Sequence, residues 1–125
     1  MTKNFGTGAY SEAVSLTIAN NAALSDAFDM SRYLGGLVSV PGTWTAANIG
    51  FYVCDTLAGT YVPALDDTGV PIQISTVNTG RAGMYAIPSK LFPAMFVKLW
   101  SKNATAATET DINQAGARAM KVLLK

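Results

Sequence analysis

Alternation of apolar residues with a period of two is the feature that most constrains what this chain can fold into. Residues 49–54 read Ile-Gly-Phe-Tyr-Val-Cys, so Ile49, Phe51 and Val53 fall on one face of an extended segment. Successive side chains of a strand point to opposite faces, so this pattern predicts a half-buried strand. The same alternation recurs in three other segments, at 13–18, 95–101 and 117–124. We therefore predict a core that contains Val14, Leu16, Ile18, Phe51, Val53, Leu99, Val122 and Leu124.

Turn residues separate these segments at fairly even spacing. Asn20-Asn21, Pro41-Gly42 and Gly69 interrupt the apolar pattern, and each is a residue type that turns favour. Residues 89–93 lie between two prolines and have room for one helical or 3₁₀ turn. No amphipathic helix of about 10 residues or more is evident. The sequence predicts one all-β domain over residues 1–125, an antiparallel, jelly-roll-like β-sandwich with roughly eight or nine short strands.

Composition excludes several classes of function. The chain has 14% charged residues and a net charge of +1, and its nine Lys and Arg residues are spread out, so we expect no nucleic-acid partner. No apolar run approaches the ~20 residues of a membrane helix, so we expect no membrane partner. The chain has no histidine and a single cysteine, Cys54. We therefore predict a protein that is not an enzyme, with no catalytic residues, no metal and no cofactor.

The N-terminus and the last strand supply the candidate partner-binding residues. Residues 1–11 contain two glycines and lack periodicity, which predicts a flexible arm. The arm is either a frayed terminus or a segment that orders against a partner through Phe5 and Tyr10. Arg118 falls on the apolar face of the last strand, where it either covers apolar surface with its stem or contacts a carboxylate of another chain.

Two other sets of side chains suggest chemistry. The aspartates at 26 and 29, and those at 55, 66 and 67, could bind calcium, but turn capping explains them better because their spacing matches no calcium loop. Five aromatic residues could form a sugar-stacking platform or belong to the core: Trp44, Tyr52, Tyr61, Tyr85 and Trp100. Cys54 is most simply a small buried apolar residue.

A series of short motifs resembles a group of small structural proteins encoded by tailed phages and prophages. The first is Leu-Ser-Asp-Ala-Phe-Asp at 24–29, followed by Leu-Val-Ser-Val-Pro at 37–41 and Trp-Thr-Ala-Ala at 44–47. The later ones are Leu-Asp-Asp-Thr-Gly at 65–69, Leu-Phe-Pro-Ala at 91–94, Phe-Val-Lys-Leu at 96–99 and Asn-Gln-Ala at 113–115. The resemblance covers about residues 13–125 and departs from the family pattern at 54–57.

The resemblance implies a β-sandwich with a place in the virion. It suggests a capsid decoration or cement protein that stabilises the head by bridging subunits of the major capsid protein. Its partners would be the major capsid protein and copies of itself, and it would be assembled in the host cytoplasm and located on the capsid. The alternative is a carbohydrate-binding β-sandwich module of a tail or capsid appendage. A small hydrolase ranks third because the chain has no histidine.

Overall fold

The structure, a computed structural model, describes residues 11–75, 81–103 and 110–125, and its regular elements are almost all strands. The nine strands are β1 (Glu12–Ile18), β2 (Leu24–Asp29), β3 (Gly36–Val40), β4 (Asn48–Cys54), β5 (Val62–Pro63), β6 (Gln73–Ile74), β7 (Gly83–Ala86), β8 (Phe96–Lys102) and β9 (Arg118–Leu124). A single 3₁₀ turn at Ser89–Leu91 lies where the two prolines predicted it. The all-β class is confirmed, and the part of the chain described here contains no longer helix.

The strands form one antiparallel path that curls into a half-barrel. Their order is β5-β4-β8-β2-β1-β9-β3-β7, and β6 pairs with β4 beside β5. We call β1, β9, β3 and β7 the first half-sheet, and β2, β8, β4, β5 and β6 the second half-sheet. The two meet where Ile18 of β1 pairs with Ser25 of β2. The antiparallel arrangement is confirmed, whereas the jelly-roll-like sandwich stays a prediction.

One apolar core lies against the inner faces of both half-sheets. Six of the eight predicted core residues are at most 3% exposed, namely Leu16, Ile18, Phe51, Leu99, Val122 and Leu124. Val14 and Val53 are half-buried and pack against this core. Both lie towards the end of a strand, β1 and β4 respectively, so fewer neighbours cover them. The prediction of a mostly buried set is confirmed.

A predicted turn is also confirmed, and one glycine marks a close contact between two strands. Asn21 has a φ of 60° in the turn between β1 and β2, a conformation that asparagine tolerates better than most residues. Gly36 lies so close to β9 that a Cβ there would collide with the carbonyl oxygen of Leu123. Gly36 therefore marks a close backbone approach between β3 and β9.

Candidate functional site

An apolar row crosses the outer face of the first half-sheet. Ala13 of β1 pairs with Leu123 of β9, Leu123 pairs with Leu37 of β3, and Leu37 pairs with Ala86 of β7. Three valines next to them in sequence face the core, namely Val14 after Ala13, Val38 after Leu37 and Val122 before Leu123. Side chains alternate along each strand, so Ala13, Leu37, Leu123 and Ala86 face outward. We call these four residues the apolar row.

The apolar row is open to solvent. Ala13 and Ala86 are exposed, Leu37 is 39% exposed, and Leu123 is half-buried between its neighbours. Met84 lies on the same face of β7 and is 51% exposed. Polar or charged side chains flank the row on the next line of residues, where Ser15, Lys121 and Ser39 pair across the strands. The row is thus bordered by polar side chains on β1, β9 and β3, whereas Met84, which pairs with Ser39, extends the apolar surface on β7.

A groove of about 450 Å³ runs along the end of the row. Ala13, Leu37 and Leu123 line it together with Ser11 and Lys125. Ser11, which lines this groove, is the first described residue. The predicted flexible arm and its two anchors lie outside the described residues and stay predictions.

The outer face of the second half-sheet differs because its large side chains are covered. Trp100 faces outward from β8 yet is fully buried, and its Nε1 donates a hydrogen bond of 2.7 Å to Asp111 Oδ1. The Tyr52 ring packs edge-on against it, with the two ring centroids 5.0 Å apart. Gly50 leaves room for the indole, since a Cβ there would lie 2.6 Å from Trp100 Cε3. This face is therefore filled by packing within the chain.

Lys102, at the end of β8, is buried on the same face. Its Nζ donates hydrogen bonds to Gln73 Oε1 at 2.8 Å and to the Asn103 carbonyl oxygen at 2.9 Å. Gln73 Oε1 also accepts a bond of 3.2 Å from Asn48 Nδ2. Burial lowers the pKa of Lys102, because desolvation disfavours the charged ammonium. Two acceptors of this ammonium are thus neutral oxygens, and no pattern in the sequence indicates this arrangement.

Gln114 ties several parts of the chain together. It is fully buried, and its Nε2 donates to the Thr45 carbonyl oxygen at 3.1 Å and to Ser101 Oγ at 2.9 Å. Its Oε1 accepts from Thr45 N at 2.8 Å and from Arg118 Nε at 3.1 Å. All four hydrogen-bonding positions of this amide are used, so Gln114 fixes the start of β9 against β8 and the loop before β4.

Arg118 belongs to that cluster. It is half-buried on the core-facing side of β9, as predicted, and its Nη2 donates a bond of 3.1 Å to Thr45 Oγ1. Together with the bond to Gln114, this contact holds the guanidinium within its own chain. The structure brings Arg118 to Gln114 and Thr45, away from the apolar row, and its proposed contact with a partner carboxylate stays a prediction.

The two aspartates with the best-defined contacts cap turns. Asp66 Oδ1 accepts hydrogen bonds from Thr68 N at 2.8 Å, Thr68 Oγ1 at 2.7 Å and Val70 N at 3.1 Å, and these bonds lower the pKa of Asp66. Asp29 Oδ1 accepts from Ser31 Oγ at 2.6 Å and Ser31 N at 2.7 Å, which lowers the pKa of Asp29. Within residues 11–75, 81–103 and 110–125, no group of three or more acidic or cysteine side chains could hold a metal ion.

The five aromatic side chains do not form one exposed platform. Trp44 and Trp100 are fully buried. Tyr85 lies in the first half-sheet and packs against the core, whereas Tyr52 lies in the second. Tyr61 donates a bond of 2.8 Å to the Leu57 carbonyl oxygen, and Lys98 Nζ lies 4.6 Å from its ring centroid. The carbohydrate-binding alternative stays a prediction.

Cys54 is half-buried near the chain's own polar groups. Its Sγ lies 3.8 Å from Asp55 Oδ1 and 3.8 Å from Thr56 Oγ1. The prediction of a buried apolar cysteine is confirmed only in part, because Cys54 is half-buried at the end of β4, where the strand extends beyond the core. The side chain is accommodated by the loop that follows β4.

Sequence reasoning missed the apolar row, although a signal for it was present. A half-buried strand alternates apolar and polar residues, but Leu37-Val38 and Val122-Leu123-Leu124 are apolar on both faces. The continuous runs indicated that each strand carries apolar side chains on its outer face. Only the register across the strands could show that these outward residues line up.

Comparisons with known proteins found no match for this chain. No family model matches it, no curated protein matches it, and no solved structure matches it. Nothing in these comparisons indicates a phage origin, so that resemblance stays a prediction. Across the described ranges, no helix is long and apolar enough to cross a membrane.

Proposed function

We propose that this chain is a non-enzymatic structural protein of a tailed-phage virion, a decoration protein that bridges subunits of the major capsid protein. In this proposal the half-barrel belongs to a jelly-roll-like β-sandwich, and the apolar row is the capsid-binding surface. The protein is located on the capsid, where each copy contacts more than one subunit. It is assembled there in the host cytoplasm.

The observation that carries the proposal is the apolar row. Ala13, Leu123, Leu37 and Ala86 lie on four neighbouring strands, so the row spans three strand spacings, or about 14 Å at ~4.8 Å each. Contiguous apolar patches with a polar border mark interaction sites on soluble proteins. An apolar centre surrounded by polar residues is also how a protein–protein interface is organised.

The mechanism follows from burial of this surface. A rigid antiparallel sheet holds the four side chains in fixed positions, so little conformational freedom is lost when they meet a partner. A stable interface buries about 800 Å² on each partner, so the row supplies the centre of the contact and its polar neighbours the border. A protein that binds assembled subunits but not separated ones stabilises the assembly by mass action.

Occupancy on capsids tests the proposal. Leu37→Asp places a charge at the centre of the row, and we expect its occupancy on undecorated particles to fall at least about tenfold. Leu57→Asp is the matched control, because Leu57 is a 60% exposed leucine in the loop after β4 and should leave occupancy unchanged. Circular dichroism verifies that both variants are folded. Equal occupancy of the two variants would contradict the proposed binding surface.

Gene order tests the phage assignment independently. We expect the reading frame for this chain to lie beside one that encodes a major capsid protein. A neighbourhood of genes unrelated to virion assembly would overturn the assignment without affecting the geometry of the apolar row.

A further inference from the structure

The strand β1 has an open edge. All residues of β1 lie opposite residues of β9, but only alternate pairs exchange backbone hydrogen bonds. The peptide groups of residues 118, 120, 122 and 124 turn towards β1 and bond residues 18, 16, 14 and 12. This direction follows because Gly35 N and O bond the O and N of Lys125 on the other side of β9, and peptide directions alternate along a strand. The N–H and C=O groups of Ala13, Ser15 and Thr17 therefore point away from β9, towards β2.

The second strand does not cover this edge. β2 pairs with β1 at Ile18 and Ser25, and Thr17 N donates a bond of 3.3 Å to the Asp26 side chain. Beyond this point β2 follows β8 in the second half-sheet. Within the described residues, no hydrogen bond reaches the outward peptide groups of Ala13 and Ser15. The N–H and C=O groups of Ala13 and Ser15 are thus spaced as in a β-ladder and can pair with another strand.

The side chains at this edge do not protect it. Edge strands usually avoid pairing through lysine, proline, a bulge or a covering loop. The open part of β1 instead carries Ala13 and Ser15, which are small, uncharged and exposed. The one charged side chain of the strand is Glu12, whose Oε2 accepts a bond of 2.9 Å from Tyr33 Oη.

We propose that β1 pairs with β1 of a second copy, antiparallel about a two-fold axis at Val14. In this register Ala13 faces Ser15 of the other copy, and the outward N–H and C=O groups of both residues form four backbone hydrogen bonds. The two Val14 residues face each other as a non-hydrogen-bonded pair, with Cα atoms about 4.5 Å apart. The first half-sheets of the two copies then form one continuous sheet.

A second copy fits this edge better than an unrelated strand because the edge is complementary to itself. The facing residues are alanine and serine in both halves, so the pairing brings together no like charges and no bulky side chains. A two-fold axis uses the same edge on both copies, so the assembly closes at two and leaves no open end for growth. The dimer does not depend on the capsid proposal, since the apolar row lies on the face of the sheet and remains accessible.

The mass in solution tests this inference. We expect the full chain to be a dimer by light scattering after size exclusion, with a dissociation constant that rises at least about tenfold in Ser15→Pro. Proline removes the outward N–H that the dimer needs but spares the ladder to β9, so the fold tolerates it. Ser15→Ala keeps the N–H and should remain as dimeric as the unmodified chain.

A charge-swapped pair gives a second readout if the proline variant fails to fold. Ala13→Asp with Ser15→Asp places like charges opposite each other and should yield a monomer, as should Ala13→Lys with Ser15→Lys. An equimolar mixture of the two should restore the dimer. A monomeric unmodified chain, an assembly larger than two, or a dimer that survives Ser15→Pro or the single-charge variants would overturn the proposal.

Discussion

Each half-sheet has an inner face against the core and an outer face, but the large side chains on the two outer faces differ in burial. On the second half-sheet, Trp100 and Lys102 face outward and are nonetheless fully buried, because Tyr52, Asp111 and Gln73 contact them. On the first half-sheet, the apolar row faces outward and remains exposed. Other residues of the same chain therefore cover the large outward side chains of the second half-sheet, whereas the apolar row of the first half-sheet is open to solvent.

The difference separates residues that stabilise this chain from residues free to contact another. Burial against the chain's own loop contributes to folding, and its loss appears in the free energy of unfolding. An exposed row contributes little to folding, so its side chains can be changed at small cost. A functional surface should therefore be recognisable by substitutions that leave stability intact and abolish binding. The predictions below apply this criterion to both faces.

The largest effect is expected at Trp100. Trp100→Ala removes a fully buried indole and its hydrogen bond to Asp111, and should lower the free energy of unfolding by about 3–5 kcal/mol. Leu37→Ala on the open face should lower it by less than about 1 kcal/mol. Denaturant unfolding of both variants checks the contrast. Equal losses would show that the two faces do not differ as described.

The next effect is expected at Gly50. A methyl group on Gly50 would lie 2.6 Å from Trp100 Cε3 and 2.9 Å from Lys102 Cδ, so Gly50→Ala should cost about 1–3 kcal/mol. Gly83→Ala is the matched change in the first half-sheet, where the new Cβ would meet the Tyr85 ring at an ordinary 3.4 Å. We expect this second variant to stay within about 0.5 kcal/mol of the unmodified chain. Thermal unfolding of the pair measures the difference.

A smaller effect concerns the pH dependence of stability. The pKa of Lys102 is lowered in the folded chain, so below 10.5 the unfolded chain holds more protons at this site. The free energy of unfolding should therefore rise with pH up to about 10.5 through this residue. Tyr33 and Tyr61 act in the opposite direction above 10.0, because burial raises the pKa of each.

Comparison with Lys102→Met isolates the lysine, since both tyrosines are present in both chains. The difference in unfolding free energy between the two should change in favour of the unmodified chain as pH rises from about 8 to 10. Chemical denaturation at a series of pH values provides the measurement. A constant difference would mean that Lys102 keeps its ordinary pKa.

The smallest effect is expected at Asp66. Its hydrogen bonds from Thr68 and Val70 hold the pKa of the carboxyl below 3.8, so its stabilisation is present above that value and is lost as pH falls through the folded pKa. Asp66→Asn keeps an acceptor oxygen without the charge and should weaken the decline in stability below about pH 4. Acid unfolding of the two chains tests this, and identical curves would contradict it.

Much of the fold could be predicted because burial on one face leaves a direct record in the sequence. Alternation located β1, β4, β8 and β9, and asparagine or glycine marked the turns at Asn21 and Gly69. The covered face of β8 could not be predicted the same way. The alternation along β8 places Trp100 and Lys102 on its outer face, which predicts exposure. Their burial depends on contacts with Asp111 and Gln73, which lie outside β8.

The candidate site could be predicted less well than the fold. The apolar row depends on the register of four strands, and Ala13, Leu123, Leu37 and Ala86 are scattered over more than a hundred positions of the chain. Phe5 and Tyr10 lie outside the described residues, and Arg118 is bonded within its own chain. Local patterns fix which face of a strand a residue takes, but they do not fix its neighbours across a sheet.

Methionine oxidation on assembled particles tests the central claim most directly. Met84 lies on the outer face of the first half-sheet and is 51% exposed, whereas Met95 lies just before β8 and is 44% exposed. In the free chain, peroxide should therefore oxidise both side chains at similar rates. On capsids, we expect Met84 to be protected and Met95 to react as before. Protection of Met95 with Met84 unchanged would contradict the assignment of the apolar row as the binding surface.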